Sequence, residues 1–219
     1  MEITAVSDIL NAAKVPDTLK PQTFGDWQIR RLNLPLYQHH FYGRTKYTAL
    51  IKYVKSANEE HVWAKMHLAR DDGAIPDVVM DDSPQELKQH LPIWMNAKGH
   101  VLKTGLGLGC VVRGLLTIPE VTKISVIEID KDIIDIVGAE FAGNNKVEIH
   151  HGDALSFDLN LLDDVDYAWH DIWVPENEGL QLEHGKLLLK YKDKCATQGA
   201  WKFPRDMKRL ASQKMALIG

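Results

Sequence analysis

The tightest constraint on this chain is the run Val101-Leu102-Lys103-Thr104-Gly105-Leu106-Gly107-Leu108-Gly109-Cys110, taken together with Glu128. A short apolar run followed by three alternate glycines reads as a buried strand turning into a helix, with residues 111–116 as the helix start. Glycine lets the backbone turn tightly and brings its N–H groups against a ligand with no side chain between them. The next apolar run, 124–127, stops at Glu128. An acidic residue ending a second parallel strand, about 20 residues past a glycine loop, is placed to accept hydrogen bonds from ribose hydroxyls. Loop and carboxylate together predict a nucleoside cofactor. A dinucleotide fingerprint, G-x-G-x-x-G, would put its third glycine where this chain has Cys110.

The pattern around this motif extends the prediction. Strands are expected at 101–104, 123–127, 146–149 and 165–170, with helices at 109–116 and from an Asp130 cap through Val137. Such alternation implies a parallel sheet covered on both faces, with ligands beyond the carboxyl ends of the strands where strand order reverses. Two more acidic residues follow strands there: Asp153 in His150-His151-Gly152-Asp153-Ala154, and Asp171 in Ala168-Trp169-His170-Asp171-Ile172-Trp173. Asp171 can orient or deprotonate an amine or hydroxyl, or it can satisfy backbone donors at its strand end. Trp173 offers a ring face to a cation, or an apolar wall.

The G-x-G-x-G spacing at 105, 107 and 109, with Glu128, the Gly152-Asp153-Ala154 triplet and Asp171, resembles the class I S-adenosylmethionine-dependent transferases. Within them it resembles the spermidine-synthase-like branch, over residues 78–175. The resemblance implies an α/β fold: a Rossmann-like, doubly wound parallel sheet spanning 81–219, with a small strand-containing extension at 1–80; against the family, the sheet is expected to be C-terminally shortened, because only 48 residues follow Asp171. It implies S-adenosylmethionine or its decarboxylated form as cofactor, contacted by Thr104, Gly105, Leu106, Gly107, Gly109, Glu128, Ile129, Asp153, Ala154 and Asp171, and no metal. Asp153 would then receive the exocyclic amino group of adenine, an ionised carboxylate being an acceptor only; a helix cap is the alternative.

Methyl transfer to an unidentified acceptor is the expected activity, with Asp171 as the catalytic group and Asp81, Asp82 and Trp173 as substrate contacts. Aminopropyl transfer to a polyamine is the first alternative. A non-catalytic cofactor-binding or scaffold protein and a dinucleotide-dependent enzyme are the others. Three departures from the family stand out. Lys103 occupies a slot where many methyltransferases carry an acid that supports the methionine end of the cofactor; a lysine would repel the amino group and could attract the carboxylate. Spermidine synthases want G-G-G-D-G, without a match at Leu108. Methylases of DNA bases follow the strand-end residue with two prolines and an aromatic, where this chain has Ile172, Trp173 and Val174.

The flanks are less constrained. A helix is expected at 7–14 with Ser7 as cap, strands at 27–32, 47–54 and 61–66, and a capping box at Ser83-Pro84-Gln85-Glu86 opening a helix that Pro92 bends. After Asp171 come a helix at 179–191, a fifth strand at 198–203 and a closing helix at 205–215. Adjacent His39 and His40 face different ways in helix or strand and make poor joint metal ligands. Tyr37, Phe41, Tyr42 and Tyr47, near Arg44 and Lys46, read as a core edge with long cations lying over it. The net charge of −4 excludes a global basic field, so nucleic acid is expected only through the basic run from Lys186 to Lys214. Two cysteines with no C-x-x-C and no run of membrane-spanning length make a cytoplasmic protein the expectation. A homodimer is compatible with the sequence, which leaves the oligomeric state open.

Overall fold

Period-2 alternation builds an antiparallel sheet in the N-terminal part. The computed structural model describes residues 6–35, 44–54, 75–172 and 179–201. Helix α1 (Val6–Ala12) precedes β1 (Gln22–Phe24), β2 (Trp27–Pro35), β3 (Arg44–Val54) and β4 (Ile75–Asp81), paired in that order. Along β2, Trp27 and Ile29 are buried while Gln28 and Arg30 are only half-buried, as one covered face requires. The helix starts at Val6, so Ser7 lies inside it rather than capping it. Strand β4 was not expected, because Pro76 and Asp77 interrupt its apolar run. The strand expected at 61–66 and the residues 36–43 that carry His39, His40, Tyr37, Phe41 and Tyr42 lie outside the described residues.

Two short helices follow, α2 (Pro84–Gln89) and α3 (Leu91–Trp94). The Ser83 hydroxyl accepts from the Glu86 N–H at 3.3 Å, the first half of the expected capping box. His90 ends one helix and opens the next, with Pro92 near the start of the second.

From residue 99 the chain alternates strand and helix: β5 (Gly99–Thr104), α4 (Cys110–Leu116), β6 (Val121–Glu128), α5 (Lys131–Ile136), β7 (Val147–His151), β8 (Val165–His170), α6 (Gly179–Lys190) and β9 (Cys195–Ala200). The five strands form one parallel sheet in the order β7-β6-β5-β8-β9. The fold is α/β and Rossmann-like. The chain winds outward from β5 to β7, then crosses back to β8, so order reverses between β5 and β8. Strand β9 begins at Cys195 and ends at Ala200, earlier than the 198–203 expected, and 205–215 lies outside the described residues.

Both faces of this sheet are buried, which is why its central strands are continuous apolar runs. Val101, Val126, Tyr167 and Trp169 join the core under α1, α4 and the antiparallel sheet. Their alternate neighbours Leu102, Ile127 and Ala168 join a second core with Leu187 and Tyr191 from the α6 side. No helix among the described residues is long and apolar enough to cross a membrane.

Candidate functional site

A cavity of about 440 Å³ opens beyond the carboxyl ends of the parallel strands. It has the size of a small-molecule cofactor site. Gly105, Leu106 and Gly107 from the glycine loop form its floor, with Glu128, Ile129 and Asp130 after β6, Gly152 to Leu155 after β7, and Asp171 and Ile172 after β8. The antiparallel sheet and α2 close it with Trp27, Val79, Met80 and Glu86, while Glu183 and Trp201 reach it from the β8–β9 side.

Glu128 is 7% exposed, and two backbone donors fix its carboxylate. Leu106 N–H donates to Oε2 at 2.6 Å and Asp130 N–H to Oε1 at 2.9 Å. A carboxylate has about four acceptor sites, so lone pairs remain for two ribose hydroxyls. Ile129, 64% exposed, presents an apolar surface beside it. Asp130 caps α5 through the N–H groups of Asp132 and Ile133, and its other oxygen accepts from the Trp27 indole at 2.7 Å. That bond ties the antiparallel sheet to the cavity rim. Asp153 lines the cavity and accepts from Leu155 N–H at 2.9 Å, so it is both a turn cap and a cavity carboxylate.

The glycine loop follows the expected path for a reason the sequence did not disclose. Gly107 has φ +55°, and a Cβ there would collide with the Met80 sulfur. Gly105 has φ +79°, and its Cβ would collide with the Asp171 carbonyl. The loop is glycine because the protein's own strands close on it, before any ligand is considered.

Lys103 is the departure that the structure explains. Its side chain is 3% exposed, and its ammonium donates to the carbonyls of Thr104 (3.0 Å) and Gly105 (2.7 Å) and to Asp171 Oδ2 (3.0 Å). Burial pushes the Asp171 carboxyl up, but the adjacent Lys103 ammonium outweighs it and holds the group below the usual carboxylate range. Such a carboxylate is a weak proton acceptor and a good orienting one. Behind the pair, burial pushes His90 and His170 down to about 4, so both rings are neutral at pH 7.

Of the other sequence-predicted residues, Ala154 also lines the cavity. Thr104 does not; it is fully buried, its hydroxyl 3.3 Å from His170 Nδ1. Gly109 is the N-cap of α4 and faces Phe141 and Arg113 instead. Asp81 and Asp82 lie off the cavity as well. Asp81 accepts from Ser83 N–H at 2.8 Å, just past β4, and Asp82 from Val15 N–H at 3.0 Å, just past α1, so both hold backbone. Trp173 is outside the described residues. Sequence reasoning missed Trp27, Met80, Glu86, Glu183 and Trp201, which tertiary contacts alone bring to the cavity. No group of metal-ligating side chains occurs among the described residues.

Six carboxylates and one lysine line the cavity, and that lysine is already paired. This charge suits a cationic nucleoside and opposes the pyrophosphate of a dinucleotide.

No protein-family model matches the chain. Over 70 residues it is 40% identical to the ribosomal RNA small subunit methyltransferase A of Pseudomonas fluorescens (strain Pf0-1), covering 31% of this chain and 25% of that protein. Over 68 residues it is 34% identical to the protein of the same name from Prochlorococcus marinus (strain MIT 9301), covering 31% of this chain and 24% of that one. The chain thus matches about a quarter of the length of these relatives. A dimethyladenosine transferase from Plasmodium falciparum superposes with a TM-score of 0.38 at 22% identity, over 51% of this chain and 37% of that one. The two ribosomal RNA methyltransferases lend no support to the spermidine-synthase-like branch.

Proposed function

We propose that the chain is an S-adenosylmethionine-dependent methyltransferase. The observation that carries this reading is the carboxylate-lined cavity on the glycine loop, with Glu128 and Asp153 on one side and Asp171 on the other. Bound there, the cofactor supplies a methyl group on a sulfonium, which departs without acid assistance. The protein's part is to bind, orient and exclude water. Glu128, fixed by two backbone donors, receives the ribose hydroxyls. Ile129 covers one face of the base, and Asp153 accepts from its exocyclic amine. Asp171, held ionised by Lys103, orients a cationic or N–H-bearing group rather than removing a proton from it. Of the two roles open to Asp171 in the sequence, orienting and deprotonating, the Lys103 ion pair favours the first.

The 70-residue similarity favours a ribosomal RNA acceptor. An acidic cavity admits a base and repels its phosphates, so the RNA backbone would lie outside the mouth. Transfer of labelled methyl from S-adenosylmethionine to purified ribosomal RNA, against a panel of small amines and phenols, tests the acceptor.

Ligand-induced stabilisation tests the cofactor. S-adenosylmethionine and S-adenosylhomocysteine are expected to raise the melting temperature, by linkage, while NAD does not. Stabilisation by NAD and not by S-adenosylhomocysteine would overturn the assignment.

A further inference from the structure

The Lys103–Asp171 pair has a direction that the proposed function does not by itself supply. The sheet order β7-β6-β5-β8-β9 sets out the cavity groups in a line. Asp153 follows β7, Glu128 ends β6, the glycine loop follows β5, and Asp171 follows β8. A nucleoside with its base at Asp153 and its ribose at Glu128 therefore sends its 5′ substituent across the loop towards Asp171.

At that end the charges are already arranged. Lys103 has three N–H donors and at least three acceptors within 3.0 Å, two of them carbonyls at the strand end, and its side chain is 3% exposed. All three of its donors are taken, so although it borders the cavity it has none left for a ligand carboxylate. Asp171 gives Oδ2 to Lys103; Oδ1 has no hydrogen-bond partner among the described residues, and the side chain, 19% exposed, borders the cavity. Its backbone is held as well, with Asp171 N–H donating to the Thr104 carbonyl at 3.1 Å. A carboxylate with one oxygen fixed and the other open to a cavity is a receptor for an ammonium.

We propose that Lys103 is a positioning residue that never touches the ligand, and that through it Asp171 Oδ1 receives the ammonium at the amino-acid end of the cofactor. The inference rests on the S-adenosylmethionine reading above. It also reverses what the sequence suggests for Lys103: its charge neither repels that ammonium nor binds the neighbouring carboxylate, because Asp171 stands between them.

Three ligands resolve the claim: S-adenosylmethionine, S-adenosylhomocysteine, which keeps the ammonium and lacks the sulfonium charge, and methylthioadenosine, which lacks both. In Asp171→Asn the side-chain oxygen turns to Lys103 and the NH₂ faces the cavity, where it opposes an ammonium. Calorimetric affinities should fall at least tenfold for the first two ligands and stay within twofold for methylthioadenosine. Because Asp171→Asn leaves Lys103 buried without a counter-charge, Lys103→Met/Asp171→Asn, which removes both charges, is measured beside it and should show the same selectivity. An equal loss for all three ligands would make Asp171 a wall of the cavity and overturn the proposal. Unchanged affinity for all three ligands would turn Asp171 towards the acceptor, and a loss confined to S-adenosylmethionine would make the sulfonium its partner; either result overturns it. A wild-type protein that binds none of the three would instead remove the cofactor reading on which it stands.

Discussion

Glu128 and His90 mark the two ways in which a buried polar side chain is handled here. Each Glu128 oxygen accepts from a backbone N–H, so the residue is structural before it is functional. Glu128→Gln leaves one acceptor oxygen for two donors, and folding stability should drop by about 1–3 kcal/mol in chemical denaturation. His90 is 1% exposed, and neither ring nitrogen has a hydrogen-bond partner among the described residues. Its ring lies edge-on to Trp94 at 5.8 Å and to Trp169 at 6.3 Å, a place suited to an apolar aromatic. Burial lowers His90 and His170 from 6.5 to about 4. Between those values the unfolded chain binds protons that the folded one refuses, so stability falls as pH drops through that window and levels off below it. His90→Phe should leave stability at pH 7 equal or higher, and by pH 5 should gain on wild type by on the order of 1–2 kcal/mol. Parallel stability–pH curves for the two proteins would contradict this account of His90.

At the scale of elements, the glycine loop and the antiparallel sheet are one assembly. Gly107 meets Met80 of β4, and Leu108 N–H points at the same sulfur at 3.0 Å. Gly107→Ala should lose about 1–2 kcal/mol from its left-handed backbone, and more from the collision with Met80. Met80→Ala should return the collision part alone, so a double-mutant cycle should show coupling; additivity would mean that the two elements do not bear on each other. Arg113 on α4 is a second link. It pairs with Glu140 through Nε at 2.7 Å and Nη2 at 3.0 Å, and donates to the Ala13 carbonyl after α1 at 3.2 Å. Arg113→Met should destabilise the fold by about 1–3 kcal/mol, measured by urea denaturation, with the exposed side of Glu140 moderating the loss. The parallel sheet was legible in the sequence because strands buried on both faces read as unbroken apolar runs, closed by caps such as Asp130. Strand β4 was hidden by Pro76 and Asp77, and β9, Cys195-Ala196-Thr197-Gln198-Gly199-Ala200, has too few large apolar residues to announce itself. Gly105 and Glu128 were legible because the glycine loop and the acid ending the next strand keep a fixed spacing, and Asp153 because its Gly152-Asp153-Ala154 triplet carries the family resemblance. Trp27, Met80, Glu183 and Trp201 were not, because only tertiary folding brings them together. Lys103 was visible as a departure, but its partner lies 68 positions away, just past the end of β8.

Over the whole molecule, two sheets meet at one cavity. The parallel sheet supplies the strand ends, and the antiparallel sheet supplies Trp27, Val79 and Met80 as cover. With a net charge of −4 and six carboxylates in the cavity wall, long-range electrostatics favour a cationic small molecule inside and disfavour a polyanion there. On the proposed function, this cavity binds the nucleoside of S-adenosylmethionine through Glu128. The most direct measurement is a calorimetric titration of S-adenosylhomocysteine into wild type and Glu128→Gln, each first shown to be folded under the same conditions. Wild type should bind one ligand per chain, and Glu128→Gln should bind at least tenfold more weakly, a loss of about 1.4 kcal/mol. Equal affinity in the two folded proteins, or no binding by wild type at millimolar ligand, would contradict it.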